Sequence, residues 1–89
     1  MEKTESSAQL NLRCAQLLRA ARKKRGLTQW QLAEKLGCQQ PLVAKIERAS
    51  RRLDVAEFME VARAIGVDPS RIIKKLLADK LPVPAARRR

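Results

Sequence analysis

The chain has 89 residues, 45 % of them apolar and 33 % charged, with a formal net charge of +11. That balance excludes a disordered polar segment, and the length leaves room for one domain with a modest core. There is no histidine and no tyrosine, which removes the usual general base and the commonest metal ligand. The positive charge points to a polyanionic partner, nucleic acid ahead of an anionic membrane.

Residues 1–7 are polar and are expected to be flexible. The first predicted helix runs from Ala8 to Arg25, because Leu10, Cys14, Leu17, Leu18 and Ala21 recur at three- and four-residue steps. Gly26 ends it, and Lys23, Lys24 and Arg25 fall where the helix dipole favours cations. Thr28 is a good N-cap for a second helix, Gln29 to Leu36, with Leu32, Ala33 and Leu36 inward. Gly37 stops that helix. Gln39 or Gln40 opens a third, with Pro41 in its first turn, where a missing N–H costs little. Val43 and Ile46 point into the core, and Leu42 lies at its edge. Asp54 caps a fourth helix, Val55 to Ile65, which buries Phe58, Val61, Ala62 and Ile65 before Gly66. Asp68 and Pro69 begin a fifth, which Pro82 and Pro84 end. The expected layout is a flexible start (1–7), one domain (8–78) and a basic tail (79–89).

No repeat, strand signal or apolar run of transmembrane length is visible. Cys14 and Cys38 fit no ligand spacing, and no targeting segment is recognisable. Both are therefore expected to be reduced thiols acting as small apolar groups in the cytoplasm. With no gly-rich phosphate loop and no paired carboxylates, the chain is not expected to be an enzyme or to need a cofactor or metal.

The second and third helices are separated by a turn too short for an antiparallel hairpin, which sets them at a steep angle as a helix-turn-helix. Such a unit needs a small residue at Ala33, a turn at Gly37, and apolar anchors at Cys38, Val43 and Ile46. With Val43 and Ile46 inward, the helical period turns Gln39, Gln40, Lys45 and Arg48 outward together. An α-helix fits the DNA major groove. There Gln pairs with adenine N6 and N7, Lys donates to guanine, and Ala44 or Leu42 can touch a thymine methyl. Charge is concentrated on the same half: residues 19–52 carry ten basic and two acidic side chains, whereas residues 53–70 carry one basic and four acidic.

The segment from Leu17 to Ile73, with "GLTQ", "LAEKLG", "VAKIER" and "RAIGVDP" at these spacings, resembles the Cro/CI-type helix-turn-helix family, also called the XRE family. The resemblance implies an all-α, five-helix, lambda-repressor-like domain. It places Gln39, Gln40, Pro41, Ala44 and Lys45 on the base-facing side. Gln29 matches a glutamine that binds a phosphate and braces the reading helix, a role its place at a helix N-terminus suits independently. Arg48, Arg51 and Arg52 are expected at backbone phosphates. Arg22 and Glu47 match a structural ion pair. Two departures stand out. Ala49 occupies a position where the family usually has glycine, and a left-handed alanine costs about 1 kcal/mol, so a different helix end is an alternative there. Pro41 offers no hydrogen bond to a base.

Trp30 lies outside the inward stripe of its helix and is expected to pack on the first helix, with a place near the DNA backbone as the alternative. Ile72, Ile73, Leu76 and Leu77 form a stripe where the family often dimerises; Ile72 and Ile73 are expected also to close the core, and Leu76 and Leu77 to meet the partner copy. The expected function is a bacterial regulator, by preference a repressor, that binds a palindromic double-stranded operator as a homodimer. It resembles short regulators of chromosomes and mobile elements. The alternative is an antitoxin or anti-activator that masks a protein partner. The scarcity of aromatic residues argues against single-stranded RNA.

Overall fold

The computed structural model describes residues 5–78. Within them lie five helices and no strand: α1 (Ser7–Lys24), α2 (Gln29–Leu36), α3 (Gln40–Glu47), α4 (Val55–Ile65) and α5 (Pro69–Ala78). Expectations about residues 1–4, about a helix stop at Pro82 and Pro84, and about the basic tail at 79–89 lie outside the described residues.

Local chemistry sets the helix ends. Reciprocal side-chain caps open α1, α2 and α4, at Ser6 with Gln9, Thr28 with Gln31, and Asp54 with Glu57. Each satisfies two N–H groups that the first helical turn leaves unpaired. The Ser6 box starts α1 one residue earlier than its apolar periodicity suggests. In contrast, α3 has no side-chain cap and relies on Pro41 in its first turn. Gly37 closes α2 at a φ of 71°. There the Cys38 N–H donates to the Ala33 carbonyl at 3.0 Å, and the chain turns directly into α3.

α3 ends the same way without glycine. Ala49 takes a φ of 59°, its N–H donates to the Ile46 carbonyl, and the Ser50 N–H donates to the Lys45 carbonyl, both at 3.1 Å. The helix thus keeps the usual left-handed closure, and alanine carries the strain.

Leu18, Leu32, Ala33, Val43, Ile46, Phe58, Val61, Ala62, Ile65, Ile72 and Leu76 make one core. α2 packs on α3 and α4, while α1 crosses α3, α4 and α5. From the expected α1 stripe, Leu18 is sealed and Cys14, Leu17 and Ala21 pack partly against the core, but Leu10 is 43 % exposed. Ala15, outside that stripe, is fully buried instead. Polar side chains of α1 fasten its ends. The Arg13 guanidinium donates to the Leu76 carbonyl and to Glu5, each at 2.7 Å, and Arg25 donates to the Gly66 carbonyl.

Candidate nucleic-acid interface

α3 is held by its inner face, where Val43 is 1 % and Ile46 is 5 % exposed. On the opposite side Gln39, Pro41, Lys45 and Arg48 are exposed, and Gln40 and Ala44 are half-buried. The expected readers therefore share one surface. Lys45 and Arg48 stand there without an ion pair among the described residues.

The half-burial of Gln40 has a cause that reaches back to α1. Arg22 and Glu47 are both buried. The Arg22 guanidinium donates to the Glu47 carboxylate through Nε at 2.6 Å and Nη2 at 3.0 Å, and through Nη1 to the Leu27 carbonyl at 2.6 Å. A bidentate pair with a further carbonyl partner is the arrangement that makes burying two charges tolerable. Glu47 Oε1 also accepts from Gln29 Nε2 at 2.9 Å, and Gln29 Oε1 accepts from Gln40 Nε2 at 2.7 Å.

This chain of bonds has a direction. An ionised carboxylate only accepts, so Gln29 must turn its amide nitrogen to Glu47 and its oxygen to Gln40. Gln40 must then turn its nitrogen to Gln29. Its Oε1 and its second N–H take no other partner among the described residues, and they are the acceptor and donor that adenine N6 and N7 require. The orientation of the reading amide thus follows from the buried Glu47 carboxylate at the far end of α3, relayed through Gln29 of α2.

α1 also positions the basic loop after α3. Asn11 Nδ2 donates to the Arg51 carbonyl at 3.4 Å, and Asn11 Oδ1 accepts from the Leu53 N–H at 3.3 Å. Arg52 donates to the Ser7 hydroxyl at 3.3 Å. Arg51 is differently placed: Nη1 donates to Glu57 at 3.0 Å, and Nη2 pairs with the other carboxylate oxygen. That bond from Arg51, followed by the Asp54 N–H, pulls the Glu57 carboxyl below its ordinary value, and the same bond raises the Arg51 guanidinium. Much of the charge of Arg51 is therefore compensated within the chain, unlike that of Arg48.

A profile of the helix-turn-helix family matches residues 18–72. This chain belongs to the XRE family. An XRE-family like protein from Pseudomonas syringae pv. tomato str. DC3000 is 46 % identical, with 80 % of this chain and 90 % of that one aligned at a TM-score of 0.69. The restriction-modification controller protein C.AhdI from Aeromonas hydrophila is 25 % identical over 76 % of this chain and 99 % of its own, at a TM-score of 0.70. The controller C.Esp1396I, solved as a tetramer in complex with its natural 35 base-pair operator, is 24 % identical and aligns 84 % of this chain with 96 % of its own at a TM-score of 0.73. At that identity the likeness is one of fold. No curated protein matches the chain significantly. The family is one of helix-turn-helix DNA-binding regulators, and this XRE-family protein is a DNA-binding transcriptional regulator.

Two expectations for this XRE-family protein need correction. In α5, Ile72 and Leu76 lie in the core at 4 % and 8 % exposure, while Ile73 and Leu77 stand outside at 43 % and 67 %. Leu76 thus closes the core, the place expected for Ile73; the inward and outward pairs are each separated by one helical turn. Trp30 does not pack on α1 but is 70 % exposed, because α2 lies on α3 and α4. No helix among the described residues is long and apolar enough to cross a membrane.

Proposed function

We propose that this regulator is a repressor that binds a palindromic operator as a homodimer, with α3 of each copy in the major groove. The observation that carries the reading is the outward face of α3. Gln40 is pre-set by the Glu47–Gln29 relay, and Gln39, Pro41 and Lys45 are exposed beside it. In this reading Gln40 pairs with adenine, Lys45 donates to guanine, Gln39 reaches a neighbouring base edge, and Pro41 and Ala44 offer apolar contact to a thymine methyl. Gln29, Arg48, Arg51 and Arg52 take phosphates, which set register without reading sequence.

One short helix reads too few base pairs for genomic specificity, and a two-fold copy doubles them on half-sites about 34 Å apart. The outer pair on α5 supports a self-contact. Ile73 and Leu77 are exposed, as are Leu10 at 43 % and Val55 at 74 %, and Leu10, Val55 and Ile73 border one groove. The same apolar face is what favours the second reading, an antitoxin or anti-activator that covers a partner protein.

Selection of binding sites from random duplex DNA tests the proposal. A palindromic consensus with half-sites one helical turn apart is the expected outcome. Recovery of no enriched sequence would favour the protein-masking reading. Sedimentation then examines the contact: Ile73→Asp with Leu77→Asp should convert a dimer to a folded monomer, and an unchanged dimer would place the contact elsewhere.

A further inference from the structure

We infer that Trp30 is a DNA-backbone contact, its indole seated against a deoxyribose and its ring N–H directed to a phosphate at the edge of the groove that α3 enters. The inference rests on the DNA-binding reading above and assigns a partner to a residue which that reading leaves without a role.

Trp30 is the single tryptophan in a chain of 89 residues with no tyrosine. A tryptophan side chain carries a large apolar surface, and leaving it in water forfeits that burial. At 70 % exposure it contributes little to the fold. Isolated apolar residues on a surface need no explanation, but this one is not isolated. It borders an open recess between α2 and α3 together with Ala33, Cys38, Gln39, Gln40 and Pro41. The recess is therefore continuous with the surface that faces the bases, and its wall is mostly apolar.

Its position in α2 narrows the occupant further. Trp30 follows Gln29 in the first turn of α2. In that turn the Thr28 N–H is taken by Gln31 Oε1 at 2.8 Å and the Gln31 N–H by Thr28 Oγ1 at 3.0 Å. The N–H groups of Gln29 and Trp30 have no acceptor within the helix. An occupant of this corner thus meets apolar walls, an indole donor and free amides together. A sugar–phosphate unit matches both halves: the sugar is apolar on its face, and the phosphate accepts. The one acidic group on the recess, Glu34, is a turn further along α2, which directs a phosphate to the Gln29 end. Trp30 lines the same recess as Gln39 and Gln40, so a duplex engaged by α3 lies beside it, whereas a peptide partner gives no reason for the recess to adjoin the reading helix.

The indole reports its own contact. Trp30 emission and acrylamide quenching are recorded while the intact protein is titrated with a random duplex and with the duplex enriched by selection, and binding is followed separately by mobility shift of labelled DNA. The expected result is a blue shift and protection from acrylamide that track saturation on both duplexes. Trp30→Ala should weaken both by about tenfold, the loss of one well-buried contact, with its unfolding midpoint unchanged, and Trp30→Phe should fall between. Binding by mobility shift with unaltered emission and quenching would overturn the contact while leaving the regulator reading intact. Loss confined to the selected duplex would overturn the backbone assignment in favour of base reading. No binding of either duplex would overturn both.

Discussion

Replacing Ala49 by glycine should make this protein more stable, a direction that few single substitutions take. The residue closes α3 at a φ of 59°, where its Cβ crowds the following carbonyl. An L-residue there costs about 1–2 kcal/mol. Glycine removes that strain but adds freedom to the unfolded chain, a loss of about 0.4–1 kcal/mol. The balance is a gain of about 0.5–1 kcal/mol, because the backbone bonds from Ala49 and Ser50 to the carbonyls of Ile46 and Lys45 stay in place. For a domain of this size that corresponds to a rise in Tm of about 2–8 °C. Urea unfolding followed by helix signal gives the same quantity as a midpoint shift of about 0.2–1 M at constant slope. The reverse substitution is its internal control. Gly37 closes α2 at a φ of 71°, and a Cβ added there meets nothing within 4 Å. Gly37→Ala therefore isolates backbone strain and should lose about 1 kcal/mol. If Ala49→Gly left the midpoint unchanged or lowered it while Gly37→Ala was destabilising, strain at Ala49 would not be the controlling quantity.

Glu47→Gln strands the buried Arg22 charge and should destabilise by about 3–5 kcal/mol, read as loss of the urea midpoint; replacing both partners by apolar residues should cost less, and equal losses would contradict the ion-pair account. Gln40→Ala should remove discrimination at one base pair by about 1–3 kcal/mol, measured on single-base variants of the selected duplex, whereas equal losses on selected and random DNA would remove its reader role. Arg48→Ala should weaken all duplexes alike and lower the salt slope by about 1, and Arg51→Ala should lower it less, because Glu57 already compensates Arg51. Acid should weaken the fold through Glu57 and Asp68. Hydrogen bonds from Arg51 and from the Ser70 N–H respectively hold them below their ordinary values. Their stabilisation is present above the unfolded carboxylate pKa of about 4 and is lost as pH falls through the lower folded value; a Glu57→Gln, Asp68→Asn variant should show a flatter unfolding midpoint between about pH 5 and 2.

The bounds of α2 and α4 were legible in the residues because helix ends are local. Thr28, Gly37, Asp54 and Gly66 act within a single turn, and their neighbours in sequence supply their partners. The helix-turn-helix was legible for the same reason: Val43 and Ile46 leave only one side of α3 for Gln39, Pro41 and Lys45. Long-range contacts were not encoded this way. Ile72 with Leu76 and Ile73 with Leu77 are equivalent stripes by period, and only the placement of α1 and α4 against α5 selects the first for the core. Trp30 lost its expected neighbour because α1 lies over α3, α4 and α5. The orientation of Gln40 depends on Gln29 and Glu47, which are eleven and seven residues away in sequence and brought together by packing. Helix ends and apolar period are properties of a few adjacent residues, so they survive in the linear chain; the side on which a helix meets its neighbours, and the way an amide is turned, exist only once separate segments have packed.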